Sequence, residues 1–178
     1  MIPYSRDMSA IRLQPLSAAH LDGVRALVSD PDVLRFTRVP EPAPLGFPEQ
    51  WVGRYEEGRH DGLREGFAIE DAASAGFLDL ALAPTIDREG RTAELGYIVA
   101  PAARGRGVAT AALRLLTDWA FSELAALRLE LLIGVENQAS KRVAERCGYE
   151  REGVLRSTHL KQGIREDVEI WSRLAVDG

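Results

Sequence analysis

The chain has 178 residues, of which 46% are hydrophobic and 28% are charged, which is typical of one globular domain with a full hydrophobic core and excludes a disordered or fibrous protein. The net charge of −5, without a basic cluster, argues against nucleic acid as a partner. Because no apolar run approaches the roughly 18 residues of a membrane span and the N-terminus lacks a signal-peptide pattern, we expect a single cytoplasmic domain over residues 1–178 without membrane contact. The one cysteine cannot form an internal disulfide, which also favours a reducing compartment.

Hydrophobic periodicity and turn residues predict a mixed α/β fold. Strands are predicted, in chain order, over residues 10–14, 66–70, 75–83, 92–99, 128–135, 150–156 and 165–174. Helices are predicted over residues 17–29, 47–61, 105–123 and 138–147. Hairpin turns are expected at 72–75 and 87–90, and residues 40–48, which include four prolines, form an irregular segment.

Residues 104–109, Arg-Gly-Arg-Gly-Val-Ala, join a predicted buried strand to a predicted helix. A glycine-rich turn at a helix start leaves several backbone N–H groups unpaired, and with the helix dipole they form a site for phosphate or pyrophosphate. Arg104 and Arg106 are expected to add positive charge at its mouth. The glycine spacing does not match the loop of nucleoside-triphosphate hydrolases or the dinucleotide-binding turn. The alternative is an ordinary helix start with solvated arginines.

A second motif follows the strand at 128–135, where Asn137-Gln138-Ala139-Ser140 opens a helix that ends at Cys147-Gly148-Tyr149. Asn137 can cap this helix, and Gly148 stands where a left-handed residue terminates one. Helical spacing predicts a core stripe made of Ala139, Val143 and Cys147. Ser140 and Ala144 are then predicted to lie on the neighbouring face, and Cys147 is expected to be a small buried residue and not a nucleophile.

These two motifs resemble those of the GNAT N-acetyltransferase superfamily. The first fits R/Q-x-x-G-x-G/A with Arg104, Gly107 and Ala109 at its defined positions, and the second shares the pattern of Asn, Ser and a Gly-aromatic pair. The run through Glu152-Gly153, Leu155-Arg156, Gly163 and Asp167 is similar to the ribosomal-protein N-terminal acetyltransferase subgroup. The resemblance implies a central twisted, mostly antiparallel sheet of about seven strands, splayed at its centre and flanked by about four helices.

The resemblance also implies that acetyl-CoA is the co-substrate. No H-x-x-x-H motif or carboxylate cluster in the sequence suggests a metal. In this superfamily the glycine-rich loop holds the pyrophosphate, and a backbone N–H near Val99 faces the thioester carbonyl. The residues that this places against the cofactor are Ile98, Val99, Arg104, Gly105, Arg106, Gly107, Val108, Ala109, Thr110, Asn137 and Ser140.

Acetyl transfer to an amine needs a base for the ammonium proton, a donor for the oxyanion and a proton for the departing thiolate. Glu94 is the candidate base, because it lies among apolar neighbours on the strand that leads into the cofactor loop. Strand alternation places it on one face with Gly96 and Ile98, and the deprotonation could also pass through water. The alternative is a solvated strand carboxylate without a catalytic role.

The general acid is less clearly marked. Many superfamily members carry a Tyr seven residues after the Asn of the second motif, where this chain has Ala144. Ser140 is the candidate substitute, since related N-terminal acetyltransferases use a Ser at this place; the alternative is a hydroxyl bonded back to its own helix. Tyr97 and Tyr149 are predicted to be core residues. The subgroup also carries a Glu where this chain has Ala111.

The acceptor side leaves several alternatives open. His159 is a candidate acceptor contact, and residues 40–48 are either a rigid connector or a wall of the acceptor pocket. Two functions are compatible with the sequence: acetyl transfer to a primary amine, at a protein N-terminus or on a small molecule, or a catalytically silent acyl-CoA-binding module. The last strands could pair with a second copy through an exposed edge to form a homodimer.

Overall fold

The architecture is that of a computed structural model, which describes residues 10–177, and it confirms the predicted mixed α/β fold. Seven strands form one sheet in the order β1-β2-β3-β4-β5-β7-β6. Their bounds are β1 Ile11–Pro15, β2 Glu65–Asp71, β3 Phe77–Asp87, β4 Thr92–Val99, β5 Arg128–Gly134, β6 Glu150–Lys161 and β7 Ile164–Leu174. All neighbouring pairs are antiparallel except β4 and β5, which are parallel.

Five helices accompany the sheet within the described residues, one more than predicted: α1 Leu21–Leu27, α2 Pro31–Phe36, α3 Phe47–Asp61, α4 Val108–Ser122 and α5 Gln138–Arg146. The prediction of one helix over 17–29 was wrong at both ends. A 3-10 turn at Ala18–His20 leads into α1, and a separate α2 follows. Asp30 starts α2 by accepting a 2.9 Å hydrogen bond from the Val33 N–H, and Pro31 occupies the first helical position, where its missing N–H costs nothing.

The predicted start of α4 at residue 105 was also wrong, because Gly105 and Gly107 have φ values of +72° and +85°. These left-handed conformations form a turn, and the helix begins after it at Val108. Strand β6 is longer than the predicted 150–156 and continues to Lys161 through a register shift between Leu155 and His159. His159 therefore lies on a strand.

The sheet separates two hydrophobic cores. On one face α4 and α5 pack over the sheet, and Leu113 of α4 is 0% exposed there. On the other face α1 and α3 pack over Leu80 and Ile98. Alternate residues of β4 enter opposite cores: Leu95 and Val99 face α4 and α5, whereas Ile98 faces α1 and α3, as the strand alternation predicts.

The predicted splay lies between β4 and β5. The two strands pair at Thr92–Arg128, Ala93–Leu129 and Glu94–Glu130 and then diverge, although β5 stays paired with β7 up to Gly134. Residues 95–99 therefore present one edge of their backbone to an open wedge whose apex is the Glu94–Glu130 pair.

Two further observations concern the surface. None of the helices within residues 10–177 is long and apolar enough to cross a membrane. Strand β6 forms one edge of the sheet and exposes Leu155 and Leu160, so a homodimer through this edge stays a prediction. The single domain predicted over 1–178 includes residues 1–9 and 178, which lie outside the described residues.

Candidate active site

A cleft of about 890 Å³ opens where β4 and β5 diverge. Its walls come from the wedge-lining ends of both strands, from the loop before α4, and from the first turns of α4 and α5, while α2 closes one side with Val33 and Phe36. This volume lies within the range of small-molecule and cofactor sites. The cleft contains every residue predicted to contact the cofactor, from Ile98 and Val99 through 104–110 to Asn137 and Ser140.

The loop before α4 is shaped to receive an anion. Gly105 and Gly107 have positive φ, and within residues 10–177 no atom beyond the adjoining residues would lie within 4 Å of a β-carbon at either position, so the space in front of them is open. Gly107 is the N-cap of the 15-residue α4, no side chain from the described part of the chain caps that helix, and its first turn contains no acidic residue. The N–H groups of the first turn thus lack helical partners and are available to a phosphate oxygen.

Arg104 has a different role from the one expected. Its Nε donates to the Val99 carbonyl at 2.9 Å, and its two terminal nitrogens lie 2.8 Å from Asp30 and 2.6 Å from Asp32. Although burial raises the pKa of Asp30, the hydrogen bonds from Arg104 and the Val33 N–H hold it below its ordinary value. The charge of Arg104 is thus balanced within the protein, and its side chain fixes the cofactor loop to the end of β4 and to α2.

Three arginines that the sequence analysis did not single out line the cleft. Arg114 projects from α4, and Arg142 and Arg146 project from α5; all three are exposed. Arg114 also donates a 3.0 Å hydrogen bond to the carbonyl of Arg146, which joins the two helices. With the exposed Arg106 they surround the cleft with positive charge suited to several phosphates. The i, i+4 spacing of Arg142 and Arg146 beside the second motif was the available signal.

Ser140 and Tyr97 meet inside the cleft. The Ser140 N–H donates to the Asn137 side-chain oxygen at 3.0 Å, so Asn137 caps α5 as predicted. The Tyr97 hydroxyl donates to the Ser140 carbonyl at 3.3 Å. Within residues 10–177 the Ser140 hydroxyl makes no hydrogen bond of its own, so it is not bonded back to its helix. Burial raises the pKa of Tyr97, and its phenol therefore keeps its proton at neutral pH.

The predicted core stripe of α5 was partly wrong. Ala144 is 0% exposed and Cys147 is 3% exposed, whereas Ala139 is exposed. Ala139 lies in the first turn of α5 on the wall of the open cleft, so protein atoms do not cover it. Cys147 is buried as predicted, with its Sγ 3.5 Å from the Thr110 carbonyl, and burial raises the pKa of its thiol.

Glu94 stands at the apex of the wedge, on the face opposite α4 and α5. Its carboxylate is 21% exposed and lies 3.2 Å from Nη2 of Arg38. Burial raises the pKa of Glu94, the facing carboxylate of Glu130 raises it further, and Arg38 opposes both effects. Ile98 is four positions after Glu94, which corresponds to about 13 Å along β4.

The remaining candidates, His159 and residues 40–48, were predicted for the acceptor side of the site. The His159 side chain is 15% exposed, with Nδ1 4.0 Å from Glu166; burial and the charge of Arg38 lower its pKa. Residues 41–46 and 48 border a separate, open depression and are absent from the lining of the cofactor cleft. Within residues 10–177, no cluster of His, Cys, Asp and Glu side chains is arranged to bind a metal ion.

The fold and the cleft define a class: a mixed α/β protein whose splayed central strands and glycine-rich helix start form a cofactor site. The chain is 31% identical over 146 residues to a putative ribosomal N-acetyltransferase, YdaF, of Bacillus subtilis, covering 82% of this chain and 72% of that one. It is 29% identical over 150 residues to spermidine N(1)-acetyltransferase of Escherichia coli, covering 82% and 76%. The structure superposes on spermidine N-acetyltransferase of Vibrio cholerae, solved with CoA and spermine, with a TM-score of 0.83 and 25% identity over 95% and 98% of the two chains.

Residues 10–150 match the acetyltransferase (GNAT) domain, and the chain belongs to this family. It is accordingly an N-acetyltransferase of the acyltransferase class, with acetyl-CoA as the co-substrate.

Proposed function

We propose that this chain transfers an acetyl group from acetyl-CoA to a primary amine by direct attack of the amine on the thioester. The observation that carries the proposal is the wedge between β4 and β5, which opens beside the uncapped, glycine-lined start of α4. An elongated cofactor with a diphosphate at one end and a reactive thioester at the other fits this arrangement.

The cofactor is proposed to bind in three parts. Its pyrophosphate accepts hydrogen bonds from the N–H groups of 105–110, and Arg106 and the arginines of α5 balance the phosphate charge. Its pantetheine arm lies along the free edge of residues 95–99 and pairs with backbone groups that β5 leaves open. The thioester carbonyl then faces backbone N–H groups at Ile98 and Val99, which stabilise the developing oxyanion.

Glu94 is proposed to receive the proton of the amine. The distance of about 13 Å along the strand between Glu94 and Ile98 exceeds the reach of a glutamate side chain, so the proton is expected to travel through water in the wedge. Partial burial favours this role, because the raised pKa makes the carboxylate a stronger base.

Ser140 is proposed to return a proton to the CoA thiolate, and Tyr97 is the second candidate for this role. Both line the cleft, and the Tyr97 hydroxyl contacts the backbone of Ser140. Tyr97 reaches from β4 toward the helix on which many superfamily members carry their tyrosine, whereas this chain has the buried Ala144. The phenol thus compensates for the missing side chain from the opposite wall.

The acceptor is proposed to be a primary amine, on a small molecule such as a polyamine or at a protein N-terminus. Relatives named for spermidine and for ribosomal proteins support both alternatives. The acceptor is expected to enter from the face that carries Glu94, because α4, α5 and the phosphate site occupy the other face.

The first experiment is calorimetric titration with acetyl-CoA of the wild type and of Gly107→Glu. The new carboxylate would meet the pyrophosphate, so binding should weaken by at least about tenfold, or about 1.4 kcal/mol. Gly46→Glu is the matched control, because Gly46 is the N-cap of the 15-residue α3 with a φ of +76° and lies outside the cofactor cleft. Both variants carry the same backbone strain and the same added charge.

Acetyl-CoA binding by the wild type and by Gly46→Glu, lost in Gly107→Glu, would support the cofactor site, and thiol release with a panel of amines would then identify the acceptor. Equal affinity in all three proteins would refute the proposed pyrophosphate position. Binding without turnover on any amine would favour the catalytically silent module.

A further inference from the structure

Arg38 makes a contact that the proposed mechanism does not use. Its guanidinium lies 3.2 Å from the Glu94 carboxylate, and its own side chain is 60% exposed, whereas Glu94 is 21% exposed. Among the described residues, Arg38 is the one residue that forms a salt bridge with Glu94. A carboxylate at the apex of the wedge is therefore covered by a cation that stands largely in solvent.

The backbone around Arg38 is held in place although its side chain is free to move. The Thr37 hydroxyl donates to the Val33 carbonyl, and the Val39 N–H donates to Thr37 Oγ1 at 3.2 Å. Lys161 from β6 donates to the Thr37 carbonyl at 2.8 Å, and Val39 is only 3% exposed. Arg38 is thus anchored at its Cα and can move its guanidinium away from Glu94 without disturbing the fold.

The charges that face Glu94 explain why a counter-ion is needed there. Glu130 from β5 stands beside it in the parallel register, and Tyr55 from α3 is buried on the same side. Arg38, which follows α2, is the cation that acts on Glu94 from these surroundings. Glu130 has a cation of its own, because Arg128 Nε lies 2.7 Å from its carboxylate. Without Arg38, Glu94 would therefore be the carboxylate of this pair that lacks a cation, and the neighbouring negative charge would favour its protonation.

We infer that Arg38 is a displaceable counter-ion of Glu94, and that on binding its charge is replaced by the ammonium group of the acceptor, which is linked to the carboxylate through the water of the wedge. This inference rests on the proposed entry of an amine from the Glu94 face. Each amine that binds exchanges one cation for another at the same carboxylate, so Glu94 keeps a compensating charge until it receives the proton of the amine. Arg38 acts here as a positioning and specificity residue, and it lowers the apparent affinity for the amine because the two compete.

The decisive variants are Arg38→Gln, which removes the charge, and Arg38→Lys, which keeps it. Arg25→Gln is a matched control, because Arg25 is a 51% exposed arginine paired with Asp22 and Glu49 on the surface. Titration of ¹³C-labelled glutamate carboxyl groups by NMR, with the Glu94 resonance assigned from its loss in Glu94→Gln, reads the Glu94 carboxyl directly. Its titration midpoint should rise in Arg38→Gln and stay at the wild-type value in the other two variants.

The second measurement uses two amine probes, spermidine and a tripeptide with a free N-terminus. At low salt the KM for the amine that is acetylated should fall roughly two- to fivefold in Arg38→Gln, the range expected for loss of an exposed ion pair. At about 1 M salt, where the screening length is about 3 Å, this difference should vanish. The probe that shifts the Glu94 resonance of the wild type identifies the source of the ammonium group.

Three results would overturn the inference: an unmoved Glu94 midpoint in Arg38→Gln, a KM that is unchanged or higher in that variant, or no effect of either amine on the Glu94 resonance. A higher KM would mean that Arg38 binds the acceptor itself. The NMR titration does not depend on turnover. Failure of the proposed acetyl transfer would therefore appear in calorimetry with acetyl-CoA and remain distinguishable from failure of this inference.

Discussion

Asp79 is a buried carboxyl group whose proton should control the stability of the fold. It lies in β3 between Ile69 and Val99, it is 1% exposed, and its φ is 141°. Its Oδ1 has no hydrogen-bond partner within the described residues. Burial raises its pKa from 3.8 to about 8, and the opposing effects of the Leu80 N–H and Arg104 do not cancel it. At neutral pH the folded protein therefore holds a proton on Asp79.

The sign and size of the effect follow from this difference in pKa. The unfolded chain releases the Asp79 proton near pH 3.8 and the folded protein only near pH 8, so the unfolded state binds fewer protons between these values. The stability that this group contributes is fully present below pH 3.8 and is lost as the pH rises toward 8. Each pH unit inside this window costs about 1.4 kcal/mol, which gives about 2.7 kcal/mol between pH 5 and pH 7.

Asp79→Asn removes the titration and keeps the shape. The amide brings its own cost for unpaired groups, of about 1–3 kcal/mol, but that cost does not change with pH. We expect the free energy of unfolding of Asp79→Asn, minus that of the wild type, to increase by about 2.7 kcal/mol from pH 5 to pH 7. Urea unfolding at pH 5, 6 and 7 measures this difference.

Asp118→Asn serves as the control, since Asp118 is exposed and forms no salt bridge within residues 10–177. Its difference from the wild type should stay constant with pH. If the Asp79→Asn difference is equally constant, Asp79 titrates in the fold as it does in the unfolded chain, and the argument from burial is refuted.

Four further predictions concern the site and the core. Ser140→Ala and Tyr97→Phe should identify the general acid. The kcat should fall about 10²–10⁴-fold only in the variant that lacks the proton donor, while calorimetry shows an unchanged affinity for acetyl-CoA. In the wild type, kcat/KM should fall at low pH because the base Glu94 becomes protonated, with a midpoint above that of an ordinary glutamate since burial raises the pKa of Glu94. Glu94→Gln should abolish this loss of kcat/KM at low pH. Arg104→Gln should release α2 and accelerate amide hydrogen exchange over 30–36, because the ties to Asp30 and Asp32 are lost. Leu113→Ala should cost about 2–5 kcal/mol in urea unfolding, since Leu113 is 0% exposed.

Each of these has a contradicting result. Full kcat in both Ser140→Ala and Tyr97→Phe would mean that the thiolate leaves without a protein acid. An unchanged pH profile in Glu94→Gln would remove Glu94 as the base. Exchange over 30–36 that stays slow without Arg104 would show that α2 is held by other contacts, and a loss below about 1 kcal/mol in Leu113→Ala would indicate a site that collapses around the smaller side chain.

The sequence by itself determined the features that depend on neighbouring residues along the chain. Strand alternation placed Leu95 and Val99 opposite Ile98, and helical caps marked Asn137 and Gly148. These features follow from backbone geometry and from the short reach of capping side chains, so a local pattern contains all the necessary information. The order of the two motifs was likewise enough to indicate the family, and with it the splayed sheet.

Only the tertiary structure decided which groups from distant segments share the site. Arg38 and Glu94 are 56 positions apart in sequence, and no local pattern predicts their contact. Arg104 was expected to be a free cation in the loop, yet Asp30, which caps α2, and Asp32 within α2 balance its charge. Tyr97 packs against the core as the strand alternation predicts, and it also lines the cleft because β4 diverges from β5 beside it. Such contacts depend on how strands and helices pack over long separations, and their energies arise only once the chain has folded.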